Sequence, residues 1–83
     1  MKLFLVHLGY YDEKIEAGFY ESHTNIFVCA RDEPGAQKAA RENKLFKKKG
    51  THIDSIMEVN QVNGFDIMLK KNTKLIKNKN YMY

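Results

Sequence analysis

The stretch Arg31-Asp32-Glu33-Pro34-Gly35-Ala36-Gln37-Lys38-Ala39-Ala40 decides the fold. It opens as a helix opens. Asp32 can accept the unpartnered N–H groups of a first turn, and Pro34 costs no hydrogen bond there. Ala36, Ala39, Ala40 and Phe46 then recur at helical spacing. The run Lys47-Lys48-Lys49-Gly50 reads as the end of that helix. Lysines oppose the negative end of the helix dipole, and a glycine suits a left-handed stop. A face of alanines is low, so this helix can approach a sheet closely.

Working outward, the flanks read as strands. Residues 3–8 are apolar on both faces, as a strand covered on both sides would be, and Gly9 interrupts them. Residues 20–30 form a second strand with Ile26, Val28 and Ala30 on one face and Phe27 and Cys29 on the other. Residues 52–59 and 65–70 read as a third and a fourth strand, joined at Asn63-Gly64, whose residue types tolerate positive φ in a two-residue turn. A strict turn would set Met57 and Val59 on the opposite face from Phe65, Ile67 and Leu69, so a β-bulge at Asn60 or Gln61, or a longer turn, is expected. The predicted fold is α+β: a four-stranded, mainly antiparallel sheet with one helix on a face, in the order strand-strand-helix-strand-strand. Residues 1–71 make the domain, and residues 72–83 a mobile tail. One helix covers one face only. The other must be hidden by the 10–22 connection, by the tail or by another copy, which points to self-association as a homodimer or larger assembly.

With 83 residues there is room for one domain. The net charge is +4, but it is uneven. Lys70, Lys71, Lys74, Lys77 and Lys79 stand in a tail without acids, giving it +5 and leaving the body at −1. Such a tail can solubilise the chain, or attract an anionic partner such as nucleic acid. A single cysteine, Cys29, forbids an internal disulfide and favours a reducing, cytoplasmic setting. Within its apolar run it reads as an inert small hydrophobe. The apolar stretch at the N-terminus is too short for a secretory signal or a membrane span.

Four segments carry a likeness: Leu5-Val6-His7-Leu8-Gly9, Glu21-Ser22-His23, His52-Ile53-Asp54-Ser55-Ile56 and Val62-Asn63-Gly64-Phe65. Together they resemble a bacterial domain-of-unknown-function family, the one numbered 1543, over residues 3–69. The resemblance implies a fold and no particular activity.

The polar residues that can carry chemistry are His7, Glu21, His23, His52, Asp54 and Ser55. His52 and Asp54 stand two apart on a strand and so share a face. If the second and third strands are neighbours, His23 joins them. Two histidines and a carboxylate can bind zinc or iron with open positions, and an Asp beside a His can orient a base near Ser22 or Ser55. The plainer reading is a hydrogen-bonded pair that ties down a strand end. Tyr10, Tyr11, Phe19 and Tyr20 can stack on a nucleotide or, more simply, cap a small core. No phosphate loop or cofactor motif is present. The leading expectation is therefore a non-enzymatic interaction or ligand-binding module that self-associates, without cofactor or metal. Behind it stand an anion- or nucleic-acid-binding module using the tail lysines, and a metal-dependent enzyme built on His23, His52 and Asp54.

Overall fold

A computed structural model describes residues 1–47 and 50–83. Strand β1 (Lys2–Tyr11) pairs antiparallel with β2 (Glu21–Ala30) on one side and with β3 (His52–Glu58) on the other. The sheet order is β2-β1-β3, so the first strand of the chain is the middle strand of the sheet. Helix α1 (Glu33–Arg41) crosses one face. The fold is α+β and antiparallel, as its pattern of elements implies.

The helix starts as its sequence dictates. The Asp32 carboxylate accepts the Gly35 N–H at 2.8 Å, and Pro34 lies in the first turn. It ends earlier than the lysine run suggests. Glu42 caps it, donating its N–H to the Lys38 carbonyl, and the Asn43 side chain accepts the Leu45 N–H. That local bond competes with helix continuation, and residues Lys44–Lys47 make a separate 3-10 turn. Lys48 and Lys49 lie outside the described residues.

Phe4, Val6 and Leu8 of β1 point at the helix and meet Ala30, Ala36 and Ala40, all buried. Ile26, Val28, Leu45, Phe46, Ile53 and Ile56 surround them. Burial of each large side chain contributes about 1.5–3 kcal/mol. Ile53 and Ile56 are three residues apart, an odd spacing that would place them on opposite faces of a regular strand. A bulge resolves this. His7 pairs with Ser55 while Leu8 pairs with Ile53, so Asp54 is the extra residue and both isoleucines face the helix.

The expected fourth strand does not join the sheet. Strands β4 (Gln61–Val62) and β5 (Phe65–Asp66) pair only with each other, around Asn63 and Gly64 at φ 52° and 81°. The expected bulge at Asn60 or Gln61 is absent, because Ile67 N–H reaches the Asn60 carbonyl in strict register. The helix packs chiefly on β2, so a strand outside β3 would have no layer to cover its apolar row. A hairpin that pairs with no strand of the main sheet need not match its faces. Of the aromatic connection Tyr10 is half-buried, whereas Tyr11, Phe19 and Tyr20 are exposed, Phe19 and Tyr20 forming an edge-to-face pair with centroids 5.8 Å apart. Cys29 is exposed rather than sequestered.

The core is small, so each side chain in it weighs heavily. Leu8→Ala is expected to destabilise the domain by about 2–5 kcal/mol, read as a lowered urea midpoint with an unchanged slope.

Candidate functional site

The face of the sheet turned away from the helix is set by alternation. Leu3, Leu5, His7 and Gly9 come from β1, and Glu21, His23, Asn25, Phe27 and Cys29 from β2. His52, Ser55 and Met57 come from β3, with Asp54 at its bulge. One end of this face is apolar and the other is ionisable.

At the ionisable end three strands align three residues in a row. Gly9 pairs with His23 on one side and with His52 on the other. The histidines thus belong to strands that are not neighbours. They meet because the residue between them has no side chain. A Cβ on Gly9 would collide with Glu21 Oε1 and would stand 2.7 Å from His52 Nε2 and 2.9 Å from Asp54 Oδ2. A glycine inside a strand marks such a close approach.

Over this floor the two ring nitrogens and two carboxylates interleave. His23 Nε2 lies 3.1 Å from Glu21 Oε1 and 3.1 Å from Asp54 Oδ2. His52 Nε2 lies 2.9 Å from Glu21 Oε1 and 2.9 Å from Asp54 Oδ1. His7 stacks on His23 with ring centroids 4.9 Å apart and is itself held by Asn25, whose Oδ1 lies 2.7 Å from His7 Nδ1. His7, His23 and Asp54 offer ligand atoms within 4.8 Å of one another, as do Glu21, His52 and Asp54.

His52 Nδ1 contacts the Gly50 carbonyl at 3.3 Å. A carbonyl oxygen only accepts, so Nδ1 carries the proton. In neutral His52 the Nε2 lone pair would then face two carboxylate oxygens at 2.9 Å. Close approach is favourable only when a cation, a proton or a metal ion, occupies that side of the ring. The His52 pKa is accordingly raised above 6.5, first by the Gly50 carbonyl and then by the charges of Asp54 and Glu21, against an opposing desolvation effect.

The residues singled out in the sequence fall into three groups. Glu21, His23, His52 and Asp54 converge, although through an intervening strand rather than by direct strand pairing. Ser55 shares the face, opposite His7. Ser22 alternates to the helix side of β2 and does not join the cluster. Lys70, Lys71, Lys74, Lys77 and Lys79 are exposed. Lys70 and Lys71 line a shallow pocket with Met1, Cys29, Arg31 and Leu69, at the other end of the sheet from Tyr10 and Tyr11. The eight steps from Lys2 to Tyr10 span about 26 Å of strand. Gly9 was read as the end of a strand. Its place inside β1, which continues to Tyr11, is the feature that sequence reasoning missed. The side-chain alternation that resumes beyond it at Tyr10 and Tyr11 was the available signal.

The family model described as Domain of Unknown Function (DUF1543) matches residues 18–69. The chain belongs to that family. The match takes in β2, the helix, β3 and the hairpin, with Glu21, His23, His52 and Asp54 inside it, while β1 with His7 and Gly9 precedes it. No curated protein and no solved structure matches the chain significantly. Among the described residues, no helix of this DUF1543 protein is long and apolar enough to cross a membrane.

A raised histidine pKa gives a stability contribution that is fully present below the unfolded value of 6.5 and is lost as pH rises through the folded value. In metal-free protein the His52 ring should titrate above 6.5 by NMR, and Asp54→Asn should move that midpoint downward. A midpoint at or below 6.5 would contradict the arrangement.

Proposed function

We propose that this domain is a binding module for a divalent transition-metal ion, held by Glu21, His23, His52 and Asp54. The observation that carries the reading is the ring of four contacts of 2.9–3.1 Å in which each histidine Nε2 touches both carboxylates. Metal–ligand bonds of about 2.0–2.2 Å, at angles of about 90–110°, set adjacent ligand atoms about 2.9–3.5 Å apart. The donor set is mixed nitrogen and oxygen, which suits zinc or a neighbouring first-row divalent ion. Two carboxylates balance the charge of such an ion.

The supporting contacts are those that metal-binding histidines use. The Gly50 carbonyl accepts the Nδ1–H of His52, which leaves Nε2 as the ligand atom. The stacked His7 restrains the His23 ring. The ligand atoms are partly exposed, so coordination positions on the solvent side stay open to water or a small anion. This reading keeps the ligand-binding module of the leading sequence expectation. Its ligand, however, is the metal that the sequence ranked behind other readings.

Protein purified without a polyhistidine tag and equilibrated with zinc should retain about one ion per chain by mass spectrometry of the metal content. His23→Ala and His52→Ala should each weaken binding by more than the roughly 10–100-fold expected for a supporting contact. Wild-type protein that holds neither zinc nor cobalt at micromolar concentrations would overturn the proposal. Gly9→Ala should push the ligand atoms apart and cost at least tenfold in zinc affinity, with the circular dichroism spectrum retained.

A further inference from the structure

The open face of the sheet and the end of the chain share one property: neither is covered. On the face, Phe27 is 65% exposed and Met57 is 55% exposed, with Leu5 half-buried between them in register. Beyond Lys71 the chain makes no helix or strand, and Leu75, Ile76 and Met82 lie in solvent. The exposed surface totals 7448 Å². A compact monomer of 9.7 kDa exposes about 5,100 Å². The radius of gyration is 15.1 Å, where about 12 Å is expected for this length. The excess, about 2,300 Å², exceeds the roughly 800 Å² per partner that a stable dimer buries.

We infer that the open face is covered by a second copy of this chain, with residues 72–83 of each copy lying across the sheet of the other. Size selects this form. Two strands of ten residues and one of seven, at about 3.3 Å per residue and 4.8 Å spacing, present only about 430 Å², so two bare faces pressed together fall short of a stable interface. The tail supplies the rest. Twelve extended residues reach about 40 Å, enough to run the length of β1. Charge selects the same pairing. The tail carries Lys74, Lys77 and Lys79 and no acid, so two tails repel one another, which leaves the partner's sheet rather than its tail as the surface each tail lies on. Leu75 and Ile76 then meet the apolar end of the partner's face, around Phe27 and Met57, in a reciprocal two-fold contact.

Light scattering on the full chain across 5–200 µM (about the range of a modest interface) should give twice 9.7 kDa at the upper end. Phe27→Glu with Met57→Glu on the face, and separately Leu75→Asp with Ile76→Asp in the tail, should each weaken dimerisation at least tenfold. All four residues are exposed, so the domain should stay folded by circular dichroism. A monomer at every concentration overturns the inference, including one whose own tail folds back. So does a dimer that survives either pair of substitutions. Zinc stoichiometry measured on the same variants should stay at about one per chain. Loss of the dimer with zinc retained, or the reverse in wild-type protein, separates this inference from the metal-binding reading.

Discussion

The missing side chain at Gly9 is the constraint on which the site depends. Two strand spacings, about 9.6 Å, separate the backbones of β2 and β3. Side chains on outer strands normally stand apart, with the middle strand's side chain between them. Gly9 puts no side chain there, so Glu21 Oε1, His52 Nε2 and Asp54 Oδ2 occupy the space above it, and His23 reaches both carboxylates from β2. Each carboxylate is placed by its own histidine's strand. Glu21 precedes His23 by two residues, and Asp54 follows His52 at the bulge.

Stability and the candidate site occupy opposite faces of the same sheet. The helix face holds all six buried hydrophobic residues among those described, and it places alanines against large β1 side chains so that the layers approach closely. That core fixes the backbone under the cluster without including any of its groups. The open face keeps two imidazoles and two carboxylates in contact, an arrangement whose repulsion only positive charge relieves. The bulge serves both faces at once: it turns Ile53 and Ile56 together toward the helix and brings Asp54 to the ionisable end.

Much of this was legible locally. The Asp32 cap, the Asn63-Gly64 turn and the alternation along β2 are encoded within a few residues, because capping, turn and pleat geometry act over that range. The pairs Glu21-x-His23 and His52-x-Asp54 likewise announce that each acid shares a face with its histidine. Local rules also misled. The lysine run suggested a longer helix, whereas Asn43 supplied a competing bond after Arg41. The apolar row after Gly64 suggested a sheet strand, whereas no covering layer exists outside β3.

The sequence by itself determined the element types, the helix start, the tight turn and which residues of each strand share a face. These follow from short-range sterics and hydrogen bonding. Only the tertiary structure decided that β1 lies between β2 and β3, that the irregularity falls at Asp54, and that Gly9 is a floor rather than a break. Strand order is a choice among non-local pairings whose energies depend on how the helix packs across the sheet. No window of neighbouring residues contains that information, and the meeting of His23 with His52 is its consequence.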